Sequence, residues 1–178
     1  MSVRLPKRYR LVVVLLLALL GGRGFADSES EAVVKVAFLY NFFKFIEWPA
    51  AAMAANTFNL CLGPGNDLDG AIVALEGKTL NGMPLNVLRD MGRKDWKSCH
   101  MIFVGSSDSA GEMLAAVKGL PVVTVGDKAN FIEQGGVIGL VRDGNRLSFE
   151  INLDAVTGNG VHISANLLKL ARTVRSGR

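Results

Sequence analysis

Apolar runs separated by short polar turns dominate the chain from residue 57 onward and predict alternating strands and helices. Continuous apolar segments such as HMIFVG at 100–105 are typical of strands that are buried on both faces. Strands are predicted at 57–63, 85–88, 100–105 and 120–126, with a hairpin of 137–141 and 146–151 around Asp143-Gly144-Asn145.

The remaining segments have the composition and spacing of helices. These are predicted at 33–48, 67–75, 109–118, 129–134 and 161–174. In the last of them Ile163, Leu167, Leu170 and Val174 recur at helical spacing. The alternation predicts an α/β fold: one three-layer domain at 27–178, with a mixed sheet and helices on both faces.

The first helix is unusually aromatic. Six of the eleven aromatic residues that follow residue 26 lie within 38–48: Phe38, Tyr40, Phe42, Phe43, Phe45 and Trp48. Only Asn41, Lys44 and Glu47 form a polar stripe. A helix that is apolar over most of its circumference is buried on two sides or offers its second face to something else. Three interpretations follow: a central core helix, a partner or homodimer surface, or the wall of an aromatic small-ligand pocket.

The N-terminus has the pattern of a secretory signal peptide. A basic segment with Arg4, Lys7, Arg8 and Arg10 precedes an apolar run at 11–20, and small residues precede a predicted cleavage after Ala26. The apolar run is shorter than the roughly 20 residues that a transmembrane helix needs. Residues 1–26 are therefore predicted to be removed on export; an uncleaved anchor is the alternative.

The charge distribution argues against nucleic-acid binding. The whole chain has 20 basic and 16 acidic residues and a formal net charge of +4. Segment 1–26 contains five of the basic residues and none of the acidic ones, so 15 basic and 16 acidic residues remain after it. The predicted mature domain is close to neutral and lacks the basic cluster that tracks phosphates.

Cys61 and Cys99 are the two cysteines. In an exported chain they are expected to form a disulfide, because that compartment is oxidising; two buried thiols are the alternative. A metal site is poorly supported, since the chain has no CxxC motif and only two histidines, His100 and His162. No cofactor is predicted.

Two segments resemble motifs of enzymes, but the spacing of their glycines does not match those motifs. Gly63-Pro64-Gly65-Asn66-Asp67 lacks the third glycine of a dinucleotide-binding turn, because position 68 is leucine. Ser106 to Ser109 lacks the second glycine of a nucleophile elbow and is expected to cap the next helix. Glu150 and Asp154 flank Asn152 at the end of a strand and could orient it or meet Lys44. No enzyme activity is predicted.

Six stretches of the chain resemble the YfiR family (DUF4154). VAFLYNFFKFIEWP at 36–49 is similar to the family pattern KAAFLYNFxKFxxWP, with a departure at Val36. LCLG at 60–63, CHMIFV at 99–104, GGVI at 135–138 and FEINL at 149–153 follow in order. ISANLLKLA at 163–171 resembles ISSxLLKLA, with a departure at Ala165.

The resemblance implies a soluble periplasmic regulator with an α/β fold. The best-known members bind the periplasmic part of a membrane-bound diguanylate cyclase and repress it, and they are dimers with disulfides. Cys61 and Cys99 match one family pair, whereas a second pair near the hairpin is absent here.

These observations together favour a protein that acts by binding a periplasmic part of an inner-membrane signalling protein, with a possible homodimer. The expected surface comprises Phe38, Tyr40, Asn41, Phe42, Lys44, Phe45, Glu47 and Trp48, with the motif residues Glu150 and Asn152. The alternative is a small-ligand-binding module whose pocket is lined by the aromatics of 38–48.

Overall fold

The computed structural model describes residues 24–63, 66–68, 70–89, 91, 93–105, 110–144 and 146–177, with side chains from residue 31 onward except those of 93 and 94. Most of the predicted signal segment and all of Ser106 to Ser109 lie outside these residues. The helices are α1 (Gly24–Phe45), α2 (Ala110–Val117) and α3 (Ala165–Leu170), with 3-10 helices η1 (Ala71–Leu75), η2 (Arg93–Ser98) and η3 (Leu153–Val156).

The described residues contain one large mixed sheet and one short strand pair. In chain order the strands are β1 (Ile46–Glu47), β2 (Phe58–Leu62), β3 (Thr79–Leu80), β4 (Met83–Leu88), β5 (Met101–Val104), β6 (Val123–Gly126), β7 (Ile138–Asp143), β8 (Arg146–Asn152), β9 (His162–Ile163) and β10 (Thr173–Arg175). The large sheet has eight strands in the order β10-β8-β7-β6-β5-β2-β4-β3. β4, β2, β5, β6 and β7 are parallel, and β1 pairs with β9 alone.

Alternating side chains divide the sheet into two packed faces. Leu60, Met101 and Phe103 belong to a core cluster beneath α1, η1 and α3. Cys61 and Ile102 belong to a second cluster beneath η2 and α2. Because successive strand residues point to opposite faces, each apolar strand supplies both cores. The α/β class, the mixed sheet and the helices on both faces are thus confirmed.

Several predicted elements differ from those observed. The first helix ends at Phe45, and Ile46 pairs with Ile163 in a short strand ladder. Segment 129–134 forms turns. The segment predicted as one helix at 161–174 is divided into β9, α3 and β10, because Ser164 caps α3 and the chain then turns back to pair with β8.

Candidate functional site

The aromatic stretch of α1 faces mainly inward. Phe42, Phe43 and Trp48 are buried, whereas Phe38, Tyr40 and Phe45 are half-buried. Phe38 and Phe42 contact Phe149 of β8 edge-on, with ring centroids 5.6 and 5.1 Å away. The interpretation as a core helix therefore holds for the buried aromatics, which are inaccessible to a partner in this conformation.

Trp48 anchors the segment that follows α1 to the start of β5. Its indole Nε1–H donates to the backbone carbonyl of His100 at 3.1 Å, and its ring stacks on Phe43. Phe58 packs edge-on against both Trp48 and His100. This cluster fixes the path of the chain from α1 into the sheet.

Both ring nitrogens of His100 are bonded to backbone groups. Nδ1 accepts from the Asn59 N–H at 3.0 Å, so the ring proton lies on Nε2, which is 2.9 Å from the Ala52 carbonyl oxygen. Burial lowers the pKa of His100, and the hydrogen bond to Ala52 opposes this only in part. His100 is thus a neutral structural residue with no nitrogen left for catalysis.

The polar stripe that the sequence indicates is exposed, and it runs from α1 into β1. Asn41 and Lys44 of α1 and Glu47 of β1 are exposed, and Lys44 Nζ lies 4.4 Å from the centroid of the Tyr40 ring. The Tyr40 hydroxyl donates to the Thr79 carbonyl at 3.3 Å, which links α1 to β3. This stripe is the part of the predicted surface that a partner can reach.

Lys35 is a buried cation that the sequence interpretation missed. Its ammonium lies 2.6 Å from Asp67 Oδ2, 2.5 Å from Asp127 Oδ2 and 3.3 Å from Glu31 Oε1. Burial lowers the pKa of Lys35, but the hydrogen bonds and charges of Asp127 and Asp67 outweigh it and raise the pKa above its ordinary value. Its position one turn before the buried Leu39 was the available signal.

The Lys35 cluster lies at the carboxyl edge of the parallel strands. Asp67 follows β2 and Asp127 follows β6, and β2 has β4 on one side and β5 on the other. Ligands of α/β sheets commonly bind where the strand order reverses in this way. Here a lysine of α1 reaches that edge, so the cluster connects the helix to the ends of two strands.

Glu150 and Asn152 have separate roles near the end of β8. Glu150 forms an ion pair with Arg172 at 3.4 Å. Asn152 is buried; its Oδ1 accepts from the Asp154 N–H at 3.1 Å, and its Nδ2–H donates to the Ile132 carbonyl at 3.0 Å. The expected meeting with Lys44 is absent from the described contacts, which pair Lys44 with Asn41 and Tyr40.

Cys61 and Cys99 form the predicted disulfide. Their Cα atoms are 5.9 Å apart and both side chains are buried. The bridge joins β2 to the segment between η2 and β5, within the core cluster beneath α2. The alternative of two buried thiols is therefore wrong for this structure.

Two cavities open at the surface of the described fold. One, of about 510 Å³, lies between α2 and η3. The other, of about 710 Å³, lies beside β9 and is lined in part by His162. No aromatic residue of 38–48 lines either cavity. These cavities thus give the aromatic-pocket alternative no support.

Within the described part of the chain, no cluster of His, Cys, Asp and Glu could hold a metal ion. No helix in that part is both long and apolar enough to cross a membrane.

A family model supplies the decisive comparison. The model for DUF4154, described as YfiR/HmsC-like, matches residues 32–172. The chain belongs to this family. The matched range runs from within α1 to the residue before β10 and includes Lys35, Asp67 and Asp127, the disulfide and Asn152. At the level of this family, the match supports a periplasmic regulator of cyclic-di-GMP signalling that acts with membrane signalling proteins.

Two solved structures that match the chain are distant from it in sequence. A conserved domain protein from Vibrio cholerae O1 biovar El Tor is 12% identical, with a TM-score of 0.52; the alignment covers 81% of this chain and 60% of that one. The ABC domain from Streptococcus pneumonia in complex with L-Trp is 11% identical, with a TM-score of 0.43 over 67% of this chain and 55% of that one. This YfiR/HmsC-like chain thus spans less than two thirds of each structure, and the first supports the fold alone.

Proposed function

We propose that this chain is a periplasmic protein that represses a membrane-bound diguanylate cyclase by binding the periplasmic part of that enzyme. The observation that carries the proposal is the family match over 32–172, which covers almost the whole described fold. Repression of a cyclase is what the resemblance to the best-known members implies for this chain.

The chemistry of the described polar residues favours binding over catalysis. Both nitrogens of His100 are occupied by backbone groups, and Glu150 is paired with Arg172. Asp154 accepts a hydrogen bond from the Gly177 N–H and lies 3.8 Å from Arg175 Nε. These groups are committed to holding the fold, so none is poised as a nucleophile or general base.

The exposed apolar residues indicate where a partner would bind. Val33, Val34, Leu170 and Val174 are large apolar residues that remain exposed, and they lie on α1, α3 and the edge strand β10. Leu170 has the largest exposed fraction, 65%. We call the exposed side of α1 and α3 the α1 face; it includes Asn41 and Lys44. Protein-binding surfaces commonly combine an apolar centre with a polar rim.

The proposed repression is tested by measuring cyclic-di-GMP in cells. Deleting the protein should raise the cyclic-di-GMP level, and restoring the wild-type chain should lower it again. Leu170→Glu should fail to restore repression, because it replaces an exposed apolar residue of the α1 face with a charged one. Crosslinking in the periplasm should recover an inner-membrane partner with the wild-type chain and much less of it with Leu170→Glu.

The matched control is Ala116→Glu, an exposed position of α2 on the opposite layer, which should repress like the wild type. Both variants should retain the wild-type melting temperature. An unchanged cyclic-di-GMP level after deletion would overturn the cyclase assignment. Full repression by Leu170→Glu would overturn the proposal that the α1 face binds the partner. Sedimentation of both variants shows whether a second copy of the chain binds this face instead.

We also propose that export removes residues 1–26. The support is the basic segment, apolar run and small-residue site described above. Mass spectrometry of the periplasmic protein should find an N-terminus at Asp27; an intact Met1 in that fraction would contradict cleavage.

A further inference from the structure

The cavity between α2 and η3 has the size and lining of a small-molecule site. Its volume of about 510 Å³ lies within the range of roughly 300–1,000 Å³ that is usual for such pockets. Leu114 and Val117 of α2 form one wall, and Val122 and Val137 precede β6 and β7. These four residues are buried and supply an apolar surface.

Two buried polar side chains, Thr124 and Asn152, also line this cavity. They are 2% and 4% exposed, respectively. Both residues contact the backbone of Val137: the Val137 N–H donates to Thr124 Oγ1 at 3.0 Å, and the backbone N–H of Asn152 donates to the Val137 carbonyl at 2.8 Å. Thr124 and Asn152 therefore lie on either side of Val137, beside the apolar wall.

Each of these two side chains has one O–H or N–H group that makes no hydrogen bond to the described residues. Thr124 Oγ1 acts as an acceptor, and its hydroxyl proton has no acceptor among the described residues. Asn152 uses its Oδ1 and one N–H of its amide, and the second N–H has no acceptor within the same part of the chain. An oxygen atom of a ligand in the cavity can therefore accept a hydrogen bond from either group.

The charged residues at the rim of the cavity favour a ligand with a negative charge. Lys118 is exposed at the rim, and no ion pair joins it to a described carboxylate. Asp154, the acidic residue of the lining, is already satisfied by the Gly177 N–H and lies near Arg175. The available groups are thus two neutral donors and one ammonium, which together favour an anionic acceptor such as a carboxylate.

We propose that the cavity between α2 and η3 binds a small molecule with an apolar body and a carboxylate. The apolar body lies against Leu114, Val117 and Val122, and the carboxylate accepts from Thr124, Asn152 and Lys118. The inference is independent of the α1 face, because no residue of α1 or α3 lines the cavity.

The probe for this site is 3-phenylpropanoate, which has one carboxylate on an apolar body. Titrated into the ¹⁵N-labelled protein, it should bind saturably with a dissociation constant at or below about 1 mM. The amide signals of Val137 and Asp154 should shift most. The matched amine, 3-phenylpropan-1-amine, should bind at least about tenfold more weakly, because it offers no acceptor to the three donors.

Ala115 and Ala116 provide a matched pair of variants. Both are exposed neighbours on α2, but only Ala115 lines the cavity. Ala115→Phe should fill the space and weaken binding at least about tenfold, whereas Ala116→Phe should bind like the wild type. Thr124→Val and Lys118→Gln should each weaken binding of the carboxylate without weakening that of the amine.

Three results would overturn the site. These are the absence of saturable binding of 3-phenylpropanoate, unchanged binding by Ala115→Phe, and equal affinity for the carboxylate and the amine. Melting temperatures of all variants establish that each is folded. Loss of binding in Ala115→Phe together with intact cyclic-di-GMP repression would support the cavity and leave the proposed function standing.

Discussion

His100 shows how one residue can serve structure where its type suggests chemistry. It begins the segment HMIFVG, and its ring bridges the Asn59 N–H and the Ala52 carbonyl. Its own carbonyl receives the Trp48 indole. The residue therefore connects three parts of the chain, and the neutral form of the ring is the one that satisfies both of the ring's contacts.

The first prediction concerns the pH dependence of stability. Because the folded-state pKa of His100 is lowered, its stabilising contribution is complete above about pH 6.5 and decreases as the pH falls toward the folded-state pKa. At pH 8, His100→Ala should lower the free energy of unfolding by about 2–3 kcal/mol, since two buried backbone groups lose their partners. Urea denaturation between pH 5 and 8 measures this difference, which should shrink at low pH.

The exposed His162 is the control for this measurement. His162→Ala should change the free energy of unfolding by less than about 0.5 kcal/mol at either pH. An equal effect of His100→Ala at pH 5 and pH 8 would contradict the neutral, doubly bonded ring.

Helix α1 is held by both apolar packing and a buried charge. Leu39 and Phe42 pack into the core, and Lys35 on the same side reaches the segments that follow β2 and β6. The charge therefore orients the helix on the sheet, while the aromatics supply most of the buried area.

The second prediction tests this link. Lys35→Met should lower the free energy of unfolding by about 3 kcal/mol, because the half-buried carboxylate of Asp127 loses its cation. Adding Asp127→Asn should recover part of the loss, since it removes the uncompensated charge. Lys44→Met, an exposed lysine on the same helix, should have little effect on stability. Urea denaturation measures the free energy of unfolding of the wild type and the three variants. A wild-type value for Lys35→Met would contradict a stabilising role of the ion pairs of Lys35.

The single helix predicted at 161–174 was wrong because its last residues pair with another element of the fold. Its apolar spacing is helical, but α3 has only one buried residue, Leu167, in its six. Val174 instead lies in β10, where it pairs with Ile151 of β8. The spacing of apolar residues within one segment contains no information about a strand more than twenty residues away with which that segment can pair. The local pattern therefore predicted a helix where the structure has a strand.

At the scale of the whole molecule, the disulfide joins β2, inside the sheet, to the segment between η2 and β5. Cys61 lies in β2, and Cys99 follows η2; the bridge closes a loop with a sequence separation of 38. In the chain-entropy model, a loop of this length stabilises the folded state by about 4 kcal/mol. β3 and β4 lie within the loop, so the bridge limits how far that edge of the sheet can separate.

The third prediction follows from this loop. A reducing agent should lower the free energy of unfolding of the wild-type protein by about 3–4 kcal/mol. The double variant Cys61→Ala, Cys99→Ala should be similarly destabilised, and the reducing agent should have no further effect on it. Chemical denaturation with and without the reductant tests both statements. Equal stability of the oxidised and reduced wild type would contradict a stabilising bridge.

The sequence by itself determined the α/β class, the central parallel strands and helix α2, because continuous apolar runs and their turn residues act locally. It also favoured the pairing of Cys61 with Cys99. Only the tertiary structure decided that Lys35 is buried among carboxylates, that Trp48 faces the core, and that β10 replaces the end of a helix. It also placed Thr124 and Asn152 in one cavity. These features depend on contacts between residues far apart in the chain, whose free energies no local pattern contains.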